Sequence, residues 1–139
     1  MFAEFDYSDY DSKSIVKVKL NKTIENDPDF YDFTVRWLNL YELKKDFTFI
    51  FDAENVGFVN IKYSIKMALF IRSLKSRPKQ YLQKSIIIIN NGFARRLLDL
   101  IFAIQSPVAP VYIIKNDSQI NSILENHFSD VNDLTIINT

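Results

Sequence analysis

Apolar residues along the chain follow two spacings, one typical of strands and the other typical of helices. Four short runs rich in Val, Ile and Phe predict β-strands at 15–20, 47–51, 86–89 and 111–114. Between these runs, apolar residues recur every three or four positions, which predicts amphipathic helices at 30–41, 61–72 and 93–102. Strands that alternate with helices in this way pair in parallel through right-handed crossovers.

The ends of the chain extend this pattern. Phe5 and Tyr7 alternate with polar residues before a turn at 8–12, which predicts the first strand of a hairpin. Asp117 is positioned to cap a last short helix at 117–124. The predicted order is ββαβαβαβα, which is an α/β fold with a mixed sheet, a parallel centre, and helices packed on the sheet.

Two details of the pattern bear on how the helices and strands are placed. Asp27 can cap the first long helix, and Pro28 suits the first turn because it has no N–H to lose. The run Ile86–Ile89 has no polar side chain, so it is predicted to be a central strand covered on both faces.

The 139 residues are expected to form a single domain. Residues 1–13 are predicted to be an arm or an edge strand, and residues 131–139 a short strand or a frayed tail. An aromatic edge strand can pair with a second copy of the chain, so a homodimer is one possibility. Acidic side chains at Glu4, Asp6, Asp9 and Asp11 favour a protected edge instead.

Composition narrows the classes of function. Basic and acidic residues number 17 each, so no net charge attracts nucleic acid or anionic lipid. The absence of cysteine excludes thiolate chemistry and favours a cytoplasmic location, and two glycines cannot form a glycine-rich phosphate loop. We therefore expect no cofactor, no metal site, no nucleic acid partner and no membrane insertion.

Two joints between strands and helices carry a more specific pattern. After the strand that ends at Asp52, the apolar loop residues Val56, Phe58 and Val59 precede a helix. After the strand at 86–90, a helix carries paired arginines before paired leucines at 95–98. These residues, in this order, resemble a STAS domain, the fold of bacterial anti-sigma factor antagonists, over roughly the whole chain.

The resemblance implies a regulatory or scaffolding module that binds a protein and has no catalytic activity. The implied contact surface is the loop and helix start that hold Asn55, Val56, Gly57, Phe58, Asn60, Ile61 and Ser64. Loops at the carboxyl ends of parallel strands commonly hold such sites. Asn60 is also expected to have an ordinary structural role, as the cap of the helix that follows.

One position departs from the family. Where the antagonists carry a phosphorylated Ser after an Asp, this chain has Ile61 after Asn60. An isoleucine has no hydroxyl group, so the usual phosphate switch is absent at that position. Ser64, one helical turn later, is the nearest substitute hydroxyl.

Two other classes of function stay open. A strand followed by Asp52 and Asn55 resembles the opening of NYN-type nucleases, in which clustered acids bind a metal that activates water. The segment 86–105 resembles part of the CRAL-TRIO lipid-binding domains, which need a large apolar cavity. His127, the single histidine, is expected to lie on the surface.

Overall fold

Six strands form one mixed sheet whose spatial order follows the order of the chain. The computed structural model describes residues 1–139. The strands are β1 (Ala3–Asp6), β2 (Ile15–Leu20), β3 (Phe47–Asp52), β4 (Leu82–Ile88), β5 (Val111–Ile114) and β6 (Thr135–Ile137). β2 to β5 pair in parallel, and β1 and β6 pair antiparallel at the two edges. The α/β class and the mixed sheet with a parallel centre are confirmed.

Five helices connect the strands. They are α1 (Tyr10–Lys13), α2 (Asp27–Glu42), α3 (Ile61–Lys75), α4 (Gly92–Ile104) and α5 (Ile120–Leu124). Short 3₁₀ turns at Asp117–Gln119 and Phe128–Asp130 flank α5. One element was not predicted: the turn between the first two strands contains the single-turn helix α1. Of the two alternatives for residues 131–139, the structure has the short strand, β6, paired with β5.

Asparagine side chains cap the long helices. The Asn26 side chain accepts a hydrogen bond from the Asp29 N–H at 3.0 Å, so Asn26 caps α2. The prediction that Asp27 is this cap is wrong, because Asp27 lies inside the first turn. The Asn60 side chain accepts from the Lys62 N–H at 3.0 Å, which confirms its role as the cap of α3.

The main core lies between the sheet and the three long helices, α2, α3 and α4. It contains 24 buried residues, and aromatic rings fill the part beneath α2. The Phe49 ring centroid lies 4.9 Å from that of Trp37 and 4.7 Å from that of Phe51. Aromatic pairs in such edge-to-face and tilted arrangements add to the stabilisation that burial alone provides.

A smaller core lies on the other face of the sheet. α5 and the turn after it cover Ile50, Ile86, Ile88 and Ile114 there. Ile87 and Ile89 point into the main core, so the prediction that this strand is covered on both faces is confirmed. Beyond this cover the same face is charged and exposed, at Glu4, Asp6, Lys17 and Lys19.

Candidate functional site

The loop 53–60 lies at the carboxyl end of β3 and is held on both sides by hydrogen bonds. On one side, the Gly57 N–H donates to the Lys22 carbonyl at 2.7 Å, and the Thr23 hydroxyl donates to the Phe58 carbonyl at 2.7 Å. On the other side, the Asn91 amide donates to the Glu54 carbonyl at 2.9 Å. These bonds hold the backbone of the loop, including that of Phe58, in place.

The structure divides the seven predicted contact residues into two groups. Asn55, Phe58, Asn60 and Ile61 are exposed, and Gly57 is half-buried. Val56 and Ser64 are only 3% and 1% exposed, so neither can contact a partner in this conformation. Val56 packs into the main core and anchors the loop from beneath.

Ser64 was the nearest hydroxyl to the position of the missing phosphate switch. Its Oγ atom is buried and has no hydrogen-bond partner. A kinase cannot reach a side chain that is enclosed in this way. Neither Ile61, which has no hydroxyl, nor Ser64 therefore offers an accessible phosphorylation site at the start of α3.

An apolar surface continues from this loop over the two neighbouring helices. Seven large side chains there are between 42% and 71% exposed. We define the α3–α4 surface as Phe58, Ile61, Ile65, Leu69, Phe93, Leu100 and Ile104. The sequence predicted only Phe58 and Ile61 at a contact surface. Ile65, Leu69 and Phe93 were predicted as apolar positions of the helices, and Leu100 and Ile104 were not singled out.

Side-chain contacts show that α3 and α4 lie side by side. The Arg72 guanidinium donates to the Gln105 side chain at 3.2 Å, and the Lys75 ammonium donates to the Ser106 hydroxyl at 2.8 Å. Ala68, on the same side of α3, is fully buried. The exposed stripes on the two helices therefore belong to one surface.

The charge around the α3–α4 surface differs from that of the whole chain. α3 and α4 together carry six basic side chains and one acidic side chain, although the whole chain has no net charge. The acid, Asp99, is paired with Arg95 at 3.3 Å. Arg96 is exposed on the same helix. Basic side chains therefore surround the apolar surface.

A hydrogen bond connects the starts of α2 and α3 beside this surface. The Tyr63 hydroxyl donates to the Asp27 carboxylate at 2.9 Å, and the Lys62 ammonium lies 3.7 Å from the same oxygen. The hydrogen bond from Tyr63 holds the pKa of Asp27 below its ordinary value. Burial, followed by this carboxylate, raises the pKa of Tyr63.

Replacing Tyr63 with phenylalanine is expected to raise the pKa of Asp27 towards its ordinary value of 3.8. A carboxyl whose pKa is lowered by folding stabilises the fold above its unfolded pKa, and that stabilisation is lost as the pH falls. The variant should therefore lose less stability on acidification. Carboxyl-carbon NMR titration of Asp27 measures the shift, and Tyr112→Phe is the control. An unchanged pKa of Asp27 in Tyr63→Phe contradicts the assignment.

The acidic residues near Asp52, where the nuclease hypothesis places a metal, make hydrogen bonds to neighbouring groups of the chain. The Asp52 carboxylate accepts a hydrogen bond from the Glu54 N–H, and the Glu54 carboxylate accepts one from the Asn90 amide. No group of three or more His, Cys, Asp or Glu side chains is placed to bind a metal ion. His127 is exposed and lies 3.6 Å from the Glu125 carboxylate.

The aromatic residues of the N-terminal arm mostly face inward. Phe2 is buried and packs edge-on against Phe33, and the Phe5 ring lies 6.0 Å from the Phe33 ring. β1 forms one edge of the sheet and exposes Glu4 and Asp6. Pairing of two copies through this edge stays a prediction.

The chain has no helix with the length and apolar character needed to cross a membrane. Comparison with known proteins found no match to a family model, a curated protein or a solved structure. The STAS resemblance accordingly depends on the residues of this chain alone.

Proposed function

We propose that the chain is a non-catalytic, STAS-like regulatory or scaffolding module of the cytoplasm that binds a protein partner through the α3–α4 surface. The observation that carries this proposal is the exposure of seven large apolar side chains on one side of the molecule. Contiguous apolar exposure on this scale marks interaction sites.

The size of the surface fits a protein partner. Seven side chains, each about half exposed, present roughly 600 Å² of apolar area, which is at the upper end for a monomer. A standard protein interface covers about 800 Å² on each partner, including a polar rim. The exposed polar residues Asn55, Asn60 and Arg96 border the apolar side chains and supply such a rim.

The charge of the surface indicates the chemistry of the partner. An apolar surface on two parallel helices can receive the apolar face of a third helix. Its basic surround is complementary to acidic side chains at the borders of that helix. An acidic amphipathic helix therefore fits better than a second copy of this chain, whose basic residues would repel across a symmetric interface.

Binding at this surface is proposed to be independent of phosphate at the start of α3. Ile61 contributes apolar area at the position where the antagonists carry a hydroxyl. In those proteins a phosphate at this place switches binding by its charge. With Ile61 exposed and Ser64 buried, the surface keeps its apolar character without such a switch.

A matched pair of variants tests the proposal. Ile65 on α3 and Val35 on α2 are both about half exposed, but only Ile65 belongs to the α3–α4 surface. Ile65→Glu is expected to weaken partner binding at least about tenfold, because a charge at the centre of an apolar interface loses its water. Val35→Glu should bind as the unmodified chain does.

The measurement uses the full chain with a photo-crosslinking residue in place of Phe58, exposed to lysate of the source organism. A stoichiometric partner that crosslinks to this position, is retained by Val35→Glu and is lost by Ile65→Glu supports the proposal. A partner that Ile65→Glu retains, or the lack of any stoichiometric partner, contradicts it. A thermal unfolding measurement on each variant checks that both are folded.

A further inference from the structure

An apolar cavity of about 110 Å³ lies inside the main core, between the sheet and the three long helices. Of its 25 lining residues, 23 are apolar and none is charged. The Ser85 side chain, on β4, is the one aliphatic hydroxyl in the lining. The cavity is separate from the α3–α4 surface, since none of the seven residues of that surface lines it.

The chemistry of the lining determines what the cavity can hold. A buried water needs two to four polar partners, and almost none of the surface that faces the cavity is polar. Apolar cavities of comparable volume stay dry and bind small apolar molecules. An empty cavity also lowers stability, because the surrounding atoms lose packing contacts. An uncharged apolar occupant would restore these contacts without losing hydrogen bonds.

The lining also indicates the shape of the occupant. It extends along β4 from Leu82, at the amino end, to Ile89, just past the carboxyl end. A strand of this length spans roughly 20 Å, and the lining also crosses the sheet from Phe2 to Val111, so a volume of about 110 Å³ is narrow wherever it extends. A linear aliphatic chain fits a narrow space better than a ring does.

The lining of the cavity also includes small side chains and partly exposed ones. Ala53, Ala94 and Ala109 line the cavity, where larger apolar side chains would reduce its volume. Several lining side chains are also partly exposed, among them Phe102 on α4 and Val108 in the loop before β5.

We propose that this cavity binds a linear aliphatic chain and encloses about four of its carbon atoms, judged by comparison with a 150 Å³ cavity that accepts benzene. The chain is either a free small apolar molecule or the end of an acyl chain. In the second case the carboxylate or head group stays in solvent near Phe102 and Val108.

Binding is measured on the full chain by the fluorescence of Trp37, the single tryptophan, which lines the cavity. The probes are n-pentane and decanoate, which represent the two sources. A change in Trp37 emission with pentane and no stronger response to decanoate identifies a free apolar molecule. Tighter binding of decanoate identifies an acyl chain. No change with either probe overturns the proposal.

Variants locate the binding. Ser85→Val adds apolar volume within the cavity, and we expect it to weaken binding at least about fivefold, since displaced volume excludes ligand. Gln83→Val, on the same strand and outside the lining, should leave binding unchanged. Binding that Ser85→Val does not weaken overturns the proposal. If Ser85→Val does not fold, Ala109→Val makes the same test.

A further variant separates this proposal from the proposed function. Ile65→Glu alters the α3–α4 surface and leaves the cavity lining intact. We expect Ile65→Glu to bind the aliphatic probe with unchanged affinity even though it loses the protein partner. Loss of probe binding in Ile65→Glu would place the probe on the outer surface and overturn the cavity assignment.

Discussion

Replacing Phe49 with alanine is expected to lower the free energy of unfolding by about 3–5 kcal/mol. Phe49 is fully buried at the centre of β3. The rings of Phe47, Phe51 and Trp37 all lie within 5.1 Å of its ring centroid. Three large neighbours cannot all move inward, so a cavity would remain beneath α2.

Urea unfolding followed by circular dichroism measures this loss. Phe93→Ala is the matched control, because Phe93 is 53% exposed on α4. Its loss is expected to be within about 1 kcal/mol, as for most surface substitutions. Similar losses in Phe49→Ala and Phe93→Ala would contradict the central position of Phe49 in the aromatic core.

The sheet could be predicted because its strands differ strongly in pattern from the helices. The run Phe47–Phe51 and the run Ile86–Ile89 have apolar residues on both faces, and each is bounded by polar residues or turns. α1 could not be predicted in the same way. Its four residues bury no side chain, and it ends at Ser14, which has a left-handed backbone with φ of 58°. Such a short helix leaves no periodic pattern.

The contact surface could be predicted only in part, for a reason that lies in α3. Apolar residues occupy most sides of this helix, so the spacing does not show which side meets the sheet. Tyr63, Ile71 and Leu74 are buried, whereas Ile65 and Leu69 are half exposed. Ser64 is buried because it lies on the side of α3 that meets the sheet, and tertiary packing rather than local sequence determines that side.

The cavity could not be predicted from the sequence at all. Its volume is set by how closely three helices approach the sheet, and that distance depends on pairs of side chains far apart in the chain. In the sequence, nothing distinguishes three alanines of the lining from ordinary small core residues: Ala53, Ala94 and Ala109. Only their convergence around Ser85 shows that space remains between them.

Removing residues 131–139 is expected to lower the free energy of unfolding by about 3 kcal/mol or more. The deletion removes Val131, which is buried in the smaller core, and burial of one such side chain contributes about 1.5–3 kcal/mol. It also removes β6, which pairs with β5 from Val111 to Ile113. β5 would then be an edge strand made of Val, Tyr and Ile, and exposed apolar edges promote association.

Thermal unfolding and light scattering measure the two consequences of the deletion. Removal of Asn138 and Thr139 alone is the control, since both residues are exposed and lie beyond β6. The longer deletion should unfold at lower temperature and form oligomers, while the control should match the full chain. If the longer deletion stays monomeric with unchanged stability, the tail is frayed in solution and β6 does not contribute to the fold. The expected result follows from the position of β6, because it covers an apolar edge that no other element reaches.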